Sequence, residues 1–338
     1  MTTIVDLAQY CGVSTATISM VLRNKGRISE KTRDRVLKAV DELGYIYNQS
    51  AANLRSRNNN QIALLVNDIT NPFFSQLTTG VNEHIESINK LLFLAISGNS
   101  KEKQEKFIEN MLSYNTSGLI LCPTPNFDVR LLDTLKKRQL SIVLSVRPID
   151  GTDLDFVGTD NFYGAQLVTK HLIDLGHRHI AFVGGEEGSM TRSSRLAGYM
   201  AKLMEHGISP NPRYIVPSPS TRRGGAEAIR YILQYHHKVT AVVCHQDVIA
   251  FGVMNALHAK GLFPGKDFAV TGFDDVPEAR ESYPDLTTVS VSATEIGRRA
   301  AKALVERIEG NDEPQRRIII SPKLVVRQST GAQSHSTY

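Results

Sequence analysis

The chain has 338 residues, of which 41% are hydrophobic and 22% charged, as is typical of a globular protein with enough apolar material for more than one core. Its apolar runs, such as Ile62–Val66 and Leu91–Ile96, are far shorter than a membrane span, and its first residues lack the basic and apolar regions of a secretory signal. Because the apolar runs are short, we expect no membrane partner. Three widely spaced cysteines argue against a disulfide framework, so we expect a cytoplasmic protein.

The positive charge is concentrated near the N-terminus. Residues 1–60 carry nine Lys or Arg against five Asp or Glu, whereas the rest of the chain is almost neutral. A basic terminal segment suits a polyanion such as DNA, because each phosphate that is contacted releases counterions. An ordinary solvated basic surface would give the same count, so charge alone does not decide between the two interpretations.

Three short helices are predicted at the N-terminus from residues that can cap them. Thr3, Ser14 and Ser29 are each placed to cap a helix, and Gly12 and Gly44 to end the first and the third. The predicted helices run from Ile4 to about Tyr10, from about Thr15 to Arg23, and from about Glu30 to Leu43. Two short helices joined by a tight turn and braced by a third form a helix-turn-helix.

In a helix-turn-helix, the second helix enters the major groove of DNA. The outward residues of this helix are small or polar, apart from Met20, which could meet a thymine methyl group. The candidate DNA contacts in this region are Thr3, Ser14, Thr15, Ala16, Thr17, Ser19, Met20, Asn24, Arg27, Ser29 and Tyr45. A three-helix packing module without a nucleic-acid partner is the alternative, which the charge placement and the polar outer face disfavour.

The run from Ile4 to Leu22, IVDLAQYCGVSTATISMVL, resembles the headpiece of the LacI/GalR family of transcription repressors. The resemblance implies a helix-turn-helix domain at residues 1–57, with the motif at about 4–23. It also implies double-stranded operator DNA, a small-molecule effector and a second copy of the chain as partners. The family usually has Arg where this chain has Met20, so a base contact from that Arg is not implied here.

The segment Tyr45–Arg55, YIYNQSAANLR, is similar to the hinge of the same family, with Tyr47 in place of the usual Pro. About eight residues are too few to hold a helix alone in water, so we expect a hinge helix at 48–56 that folds when two copies pack on DNA. The resemblance implies that Leu54 wedges into the minor groove. The implied contacts of this segment are Asn48, Ala51, Leu54 and Arg55. Without the resemblance, Leu54 would be an exposed leucine of a linker.

After Gln61, the sequence alternates between strand-like and helix-like segments. The predicted strands are Ile62–Asn67, Leu91–Ile96, Gly118–Cys122, Ser141–Val146, His179–Gly184, Thr240–Cys244 and Asp267–Gly272. Predicted helices between them include Phe73–Asn89, Lys101–Tyr114, Phe162–Leu175, Met190–His206 and Asp247–Lys260. The predicted fold class is therefore α/β: an all-α headpiece followed by a core of doubly wound parallel sheets, long enough for two lobes.

The resemblance to the family extends along this core. It implies an effector-binding and dimerisation domain of the periplasmic-binding-protein type at 61–330. By the same analogy, lobe one comprises 61–160 and 291–318, and lobe two comprises 161–290 and 319–330. The family implies a small ligand, often a sugar or a nucleobase, in the cleft between the lobes.

Doubly wound sheets bind ligands outside the carboxyl ends of their strands. The candidate effector contacts at these ends are Asp68, Phe73, Arg147, Thr191, Arg195, Gln246 and Asp274. Their forked donors and acceptors suit adjacent hydroxyls or an anionic group, although each could instead cap a helix or pair with a neighbour. Arg195, Gln246 and Asp274 match effector-contact positions of the family. An Asp that is frequent near Val146 is absent and Arg147 follows directly, which leaves room for a phosphate or a carboxylate.

No pattern in the sequence indicates an enzyme, a cofactor or a metal site. His177, His179, His236 and His237 lie at predicted helix ends without nearby cysteine or acidic ligands, so solvated histidines explain them better. No G-x-S-x-G segment or Cys/His pair stands at catalytic spacing. Two rival interpretations are an extracytoplasmic sugar-binding protein with the same core and an α/β enzyme that uses the cleft.

The sequence therefore predicts a DNA-binding repressor whose operator affinity is controlled by a sugar or a sugar derivative. Several short features, among them the segment Gly26–Ser29, Met20 and Arg147, are similar to a family member associated with maltose-regulon genes. The tail from Gly331 lacks the leucine heptads of a tetramer-forming bundle, so a homodimer is expected.

Overall fold

The structure, a computed structural model, describes residues 2–22, 26–45, 61–113, 116–125 and 127–331. The chain divides into two compact units, Met1–Asn59 and Asn60–Tyr338, and each unit has hydrophobic cores of its own. No single helix in the described ranges is long and apolar enough to cross a membrane; the first two helices reach that length and composition only together, across a sharp bend.

Over its described residues, the first unit contains three helices, which confirm the predicted ones to within two residues. They are α1 (Ile4–Cys11), α2 (Thr15–Leu22) and α3 (Glu30–Glu42). Thr3 caps α1 through a capping box with Asp6, and Gly12 ends it in a left-handed conformation with φ of 59°. The core of this unit consists of Leu7, Ala8, Cys11, Ile18, Val21, Val36 and Ala39.

Lobe one of the second unit is built on a six-stranded parallel sheet in the order β11-β5-β4-β3-β1-β2. Its strands are β1 (Gln61–Val66), β2 (Leu91–Ile96), β3 (Gly118–Leu121), β4 (Ser141–Ser145), β5 (Asp155–Thr159) and β11 (Arg317–Ile320). Its helices are α4 (Pro72–Ser87), α5 (Lys101–Ser113), α6 (Arg130–Lys137) and α12 (Ala293–Ile308). Apolar side chains cover both faces of this sheet, as parallel strands require.

Lobe two is built on a four-stranded parallel sheet in the order β7-β6-β8-β9, with a two-stranded antiparallel sheet of β10 and β12 beside it. The strands are β6 (Ile180–Val183), β7 (Ile215–Val216), β8 (Ala241–Cys244), β9 (Ala269–Thr271), β10 (Thr288–Ser290) and β12 (Lys323–Val325). The helices are α7 (Asn161–Asp174), α8 (Met190–Glu205), α9 (Arg222–Tyr235), α10 (Asp247–His258) and α11 (Glu278–Glu281). The chain passes between the lobes at residues 160, 291–292 and 321–322. Strand β11 pairs with β5 as far as Ile320.

Two glycines allow α4 and α12 to pack with their backbones in contact. A Cβ atom at Gly80 would lie 1.9 Å from the carbonyl oxygen of Thr294, and one at Gly297 would lie 2.0 Å from that of Leu77. No side chain larger than hydrogen fits at either position without moving a helix. This close crossing fixes α12 on the face of the lobe one sheet.

Asp155, at the start of β5, is a buried carboxylate with two arginine partners. Arg307 and Arg316 each reach it at 2.8 Å, and the backbone N–H of Arg316 donates to it at 2.8 Å. Burial alone would raise the pKa of Asp155, but the hydrogen bonds from Arg307 and Arg316 leave it below the usual value. The cluster joins β5 to the end of α12 and the start of β11.

Replacing Asp155 by Asn should lower the free energy of unfolding by about 3–5 kcal/mol at neutral pH, because two half-buried arginines lose their counter-ion. A depressed carboxylate pKa contributes stability above the unfolded value, and that stability is lost as the pH falls through the folded value. The gap between the two proteins should therefore close below about pH 4. Urea unfolding at several pH values measures both effects.

Asp153→Asn is the matched control, since Asp153 pairs with Lys136 at the surface with 75% of its side chain exposed. We expect that variant to differ from the parent protein by about 1 kcal/mol or less. Equal losses in the Asp153 and Asp155 variants would contradict the role given to the buried cluster.

Candidate functional site

The first unit presents α2 on its surface in the manner of a recognition helix. The chain turns by 102° between α1 and α2, within the range of helix-turn-helix motifs. The hydroxyl of Ser14 accepts a hydrogen bond from the backbone N–H of Thr17 at 3.1 Å, which caps the start of α2. Ile18 and Val21 are buried, and Thr15 and Ala16 are exposed at the N-terminal end of the helix. The residues at the end of α2 that would enter a DNA groove first are therefore small.

Met20 lies against Gly26, beyond the end of α2. Its side chain is 37% exposed, and a Cβ atom at Gly26 would lie 3.0 Å from its sulfur. Gly26 has φ of 84°, so both its conformation and the approach of Met20 favour glycine there. Met20 thus has an apolar contact within its own unit and remains partly exposed.

The remaining predicted DNA contacts of the first unit have varied surroundings. Arg27 is exposed, and Ser29 caps α3 by accepting from the N–H of Thr32. Thr3 is engaged in the capping box, and Tyr45 packs partly buried against the core of the unit. Asn24 and the hinge residues Asn48, Ala51, Leu54 and Arg55 lie outside the described residues.

In the second unit, one cavity lies at the carboxyl ends of the strands of both lobes. It contains about 470 Å³ of empty space, including its open mouth. Lobe one contributes Phe73, Phe74, Asn99, Pro125, Val146 and Arg147; lobe two contributes Glu186, Ser189, Thr191, Arg195, Ser220, His245, Gln246 and Asp274. Six of the seven predicted effector contacts therefore line one cavity. Asp68 does not; its carboxylate instead accepts from the N–H and the hydroxyl of Thr70.

Arg195 is the most heavily bonded side chain of the cavity. Its Nε donates to Asn161 Oδ1 at 2.8 Å, its Nη1 to the carbonyl oxygen of His245, and its Nη2 lies 3.5 Å from Asp274 Oδ1. The guanidinium carbon lies 3.6 Å from the centre of the Phe273 ring. Burial lowers the pKa of Arg195 to about 10, so the group stays charged at neutral pH. Arg195 therefore holds lobe two together at the cavity as well as lining it.

Asp274 is buried beside Arg195 in a conformation that L-amino acids rarely adopt, with φ of 127°. Gln246 Nε2 donates to its Oδ2 at 3.4 Å. Burial raises the pKa of Asp274 to about 8; Arg195 only partly opposes that shift, and nearby Asp247 adds to it. An acid that can be neutral or charged near physiological pH can donate to or accept from ligand hydroxyls.

Several lining residues were missed by the sequence interpretation. Asn99, Pro125 and His245 follow predicted strands, so the strand-end rule that selected Arg147 and Gln246 would also have found them. Ser220 follows β7, a strand of two residues that is too short to show in the sequence. Ser189 stands at the start of α8 and bonds the Thr191 hydroxyl at 3.0 Å, so it accompanies a residue that was selected.

Metal chemistry has no support from the arrangement of side chains. Over the part of the chain that the structure describes, no three His, Cys, Asp or Glu residues are grouped to hold an ion. Cys122 and Cys244 are both fully buried, and burial raises the pKa of each thiol.

Comparison with known proteins finds a matching family within each of the two units. Residues 3–48 match the lacI family of bacterial regulatory proteins, and residues 169–330 match the periplasmic binding protein-like domain. The maltose regulon regulatory protein MalI of Escherichia coli (strain K12) is 31% identical over 333 residues, which cover 96% of this chain and 97% of that protein. The chain belongs to the lacI family of bacterial regulatory proteins.

Other members are also similar to this lacI-family chain over nearly its whole length. The transcriptional repressor PurR of Pasteurella multocida (strain Pm70) is 32% identical over 331 residues, covering 97% of this chain and 98% of that protein. The lac repressor dimer, solved with its operator and an anti-inducer, superposes with a TM-score of 0.87 at 25% identity over 98% and 99% of the two chains. The regulator CelR in complex with cellobiose gives a TM-score of 0.74 at 27% identity, covering 97% and 100%.

Family membership decides between the alternatives that the sequence leaves open. The protein is a DNA-binding transcription repressor with a core of the sugar-binding type, and its operator affinity is controlled by a small ligand. It is not an enzyme, since the relatives are transcription regulators along their whole length. The resemblance seen in the headpiece and in the core is thus confirmed.

Replacing Asp274 by Asn should flatten the pH dependence of stability. Because the folded pKa lies above the ordinary value of 3.8, protonated Asp274 contributes stability that is complete below about pH 4 and is lost as the pH rises through about 8. We therefore expect the free energy of unfolding to fall less steeply in the variant than in the parent protein between about pH 5 and pH 9. Exposed Asp150→Asn should follow the parent curve, and parallel curves for all three proteins would contradict the buried neutral acid.

Proposed function

We propose that the protein acts as a homodimeric repressor whose operator affinity changes when a sugar or a sugar derivative binds between the lobes of its core. The observation that carries the proposal is the presence in one chain of a helix-turn-helix with an exposed, capped α2 and a polar cavity lined by both lobes. Neither part alone would support ligand-controlled repression. The operator places the site of action in the cytoplasm, which agrees with the three unpaired cysteines.

The DNA-binding part of the proposal rests on α2. Thr15 and Ala16 are exposed at its N-terminal end and are small enough for the helix to approach base edges closely. Arg27, exposed beyond the helix, is suited to a phosphate contact, which positions a protein without reading sequence. By analogy with the family, Leu54 bends the operator from the minor groove, as apolar wedges do.

The homodimer has support in the edge of the lobe one sheet. Strand β2 lies at that edge and exposes four large apolar side chains: Leu91, Phe93, Leu94 and Ile96. Exposed apolar edge strands favour association and are normally blunted by charge or covered. A second copy of the chain would cover them, and the relative solved with its operator is a dimer. Two-fold symmetry would then place two α2 helices on a palindromic site.

The ligand class has support in the polar groups of the cavity. Gln246, Asp274 and Thr191 offer amide, carboxyl and hydroxyl groups that suit the adjacent hydroxyls of a sugar. Solved relatives carry cellobiose and, in a regulator from Enterococcus faecium, ribose. Phe73 and Phe74 meet edge to face at 5.1 Å and add apolar surface for a sugar ring.

Arg27→Ala should weaken operator binding across sequences and reduce the slope of log K against log salt by about 1, because one phosphate contact is lost. Fluorescence anisotropy of labelled operator at several salt concentrations measures the slope. Arg223→Ala is the control, since Arg223 lies on α9 of the core with 88% of its side chain exposed. A parent protein whose DNA binding does not respond to salt would contradict the DNA contact itself.

A separate measurement tests ligand control. A sugar that raises the melting temperature without changing operator affinity would contradict it.

Phe93→Lys should convert the protein to a monomer, because a charge on β2 would be buried against the second copy. Light scattering measures the mass, and anisotropy should show weaker operator binding, since each monomer reads only one half-site. Leu175→Lys is the control: Leu175 is 47% exposed, close to the 49% of Phe93, but it lies at the end of α7 in lobe two. A Phe93→Lys variant that stays dimeric would exclude β2 from the interface.

A further inference from the structure

Arg147 enters the cavity from the end of β4 on a strained piece of backbone. The residue before it, Val146, has φ of 68°, which a β-branched side chain disfavours. The N–H of Val146 donates to Val157, and the N–H of Arg147 donates to the carbonyl of Ser145 at 2.7 Å, so the strained turn is held in place. Strain of this kind persists where the surroundings impose a side-chain position, and it often marks a ligand site.

The guanidinium of Arg147 has only neutral partners. Its Nη1 donates to the carbonyl of Pro123 at 2.8 Å and to Asn99 Oδ1 at 3.2 Å. Its Nε is buried and has no hydrogen-bond partner. Among the ion pairs of the described residues, none includes Arg147. The edge formed by Nε and Nη2, with which arginine pairs bidentately with carboxylates and phosphates, is therefore unused by the protein.

The two bonds from Nη1 do not explain why an arginine stands here. A neutral amide side chain could link Asn99 and Pro123 without bringing a charge into the cavity wall. A buried donor without a partner destabilises the folded protein, and a buried cation without a counter-ion destabilises it more. Burial lowers the pKa of Arg147, as expected where the charged form is disfavoured. A ligand that supplied negative oxygens would relieve both penalties.

The opposite wall does not supply the missing charge. Asp274 lies beside Arg195, and its raised pKa leaves it largely protonated at neutral pH. Glu186, the other acid of the lining, is exposed; it forms no ion pair with Arg147, and its attraction raises the pKa of Arg147 less than burial lowers it. His245 is buried among cations: burial lowers its pKa well below the usual value, and Arg195, Arg147 and Arg192 lower it further. The interior of the cavity is therefore positive, and Arg147 is its cation without a paired acid.

We propose that the effector carries an anionic group, a phosphate or a carboxylate, which pairs with the free edge of Arg147 while the groups of lobe two bind the sugar hydroxyls. The inference rests on the proposed function, because it assigns a chemical class to the ligand of that same cavity. Such a ligand would join the lobes through its two ends, since Arg147 belongs to lobe one and Gln246, Thr191 and Asp274 belong to lobe two. A neutral sugar would leave Arg147 as it is.

Matched sugars test this assignment in the full-length protein. Glucose, galactose and mannose are each compared with their 6-phosphate and with their C6 carboxylate by isothermal titration calorimetry. The three forms share a ring and differ at one carbon, so the comparison also separates phosphate from carboxylate. We expect at least one charged form to bind about 10-fold or more tightly than its neutral parent, as a charge-assisted bidentate pair allows.

Three variants connect that preference to Arg147. Arg147→Gln keeps donors for Pro123 and Asn99 but removes the charge, so the charged and neutral forms should bind it equally. Arg147→Lys keeps the charge without the fork and should retain part of the preference. Arg138→Gln, at an exposed arginine after α6 in the same lobe, should retain all of it. Thermal unfolding of each variant verifies that it is folded.

The outcomes separate this inference from the proposed function. Charged sugars that bind Arg147→Gln as tightly as the parent protein, or neutral sugars that bind as tightly as charged ones, would overturn it. Failure of every charged sugar to bind would overturn it as well. If a neutral sugar binds and changes operator affinity, ligand-controlled repression stands and only the anionic class is wrong. If no sugar of either kind changes operator affinity, the proposed function fails.

Discussion

The guanidinium of Arg195 joins three segments at the cavity. It bonds Asn161 where the chain first enters lobe two, the carbonyl of His245 at the end of β8, and Asp274 beyond β9. The last two segments converge because the parallel strands β8 and β9 direct their carboxyl ends toward one edge of a sheet. The guanidinium stacks on Phe273, which leaves little freedom for the side chain. The shape of the lobe two wall therefore depends on a group that also belongs to the ligand site.

Lobe one contains two buried charged side chains, Asp155 and Arg147, which have different roles. Asp155 is surrounded by two arginines and a backbone N–H, so its charge is satisfied and its role is to hold β5, α12 and β11 together. Arg147 has neutral partners and an unbonded Nε, so its charge is not satisfied by the protein. A buried charge that is ion-paired within the protein is explained by its structural role. A buried charge at a cavity wall without such a pair indicates that a ligand supplies the counter-charge. This contrast, seen within a single lobe, supports the distinction between the two roles.

Much of the fold follows from the sequence for identifiable reasons. Helix α1 was readable because Thr3 and Gly12 mark both of its ends, and the central strands because their apolar runs are bounded by polar residues. Strands β7 and β10 have two and three residues, too few to show a hydrophobic pattern in the sequence. The close packing of α12 on α4 depends on the fit of Gly80 and Gly297, a relation between distant positions that one sequence does not display.

The candidate site was predictable in composition and less so in geometry. The strand-end rule selected Arg147, Gln246 and Asp274 because each follows a recognisable strand. It also selected Asp68, whose carboxylate is taken up by the local turn at Thr70. Whether a carboxylate bonds to a residue two positions away depends on the backbone conformation after the strand, which sequence spacing does not reveal. The neutral surroundings of Arg147 and the raised pKa of Asp274 likewise depend on burial, which only the folded chain defines.

The energetics of control follow from the same geometry. A ligand shifts an equilibrium only by the difference in its affinity for the two states, and a tenfold shift requires about 1.4 kcal/mol. A hydrogen bond to a charged group is worth about 1.5–3 kcal/mol, so one ligand bond to Arg147 that forms in only one arrangement of the lobes is sufficient. By linkage, operator DNA must then change the affinity for that ligand by the same factor. A repressor of this architecture therefore needs no extensive rearrangement of its core to respond, only one charged contact whose formation depends on how the two lobes are arranged.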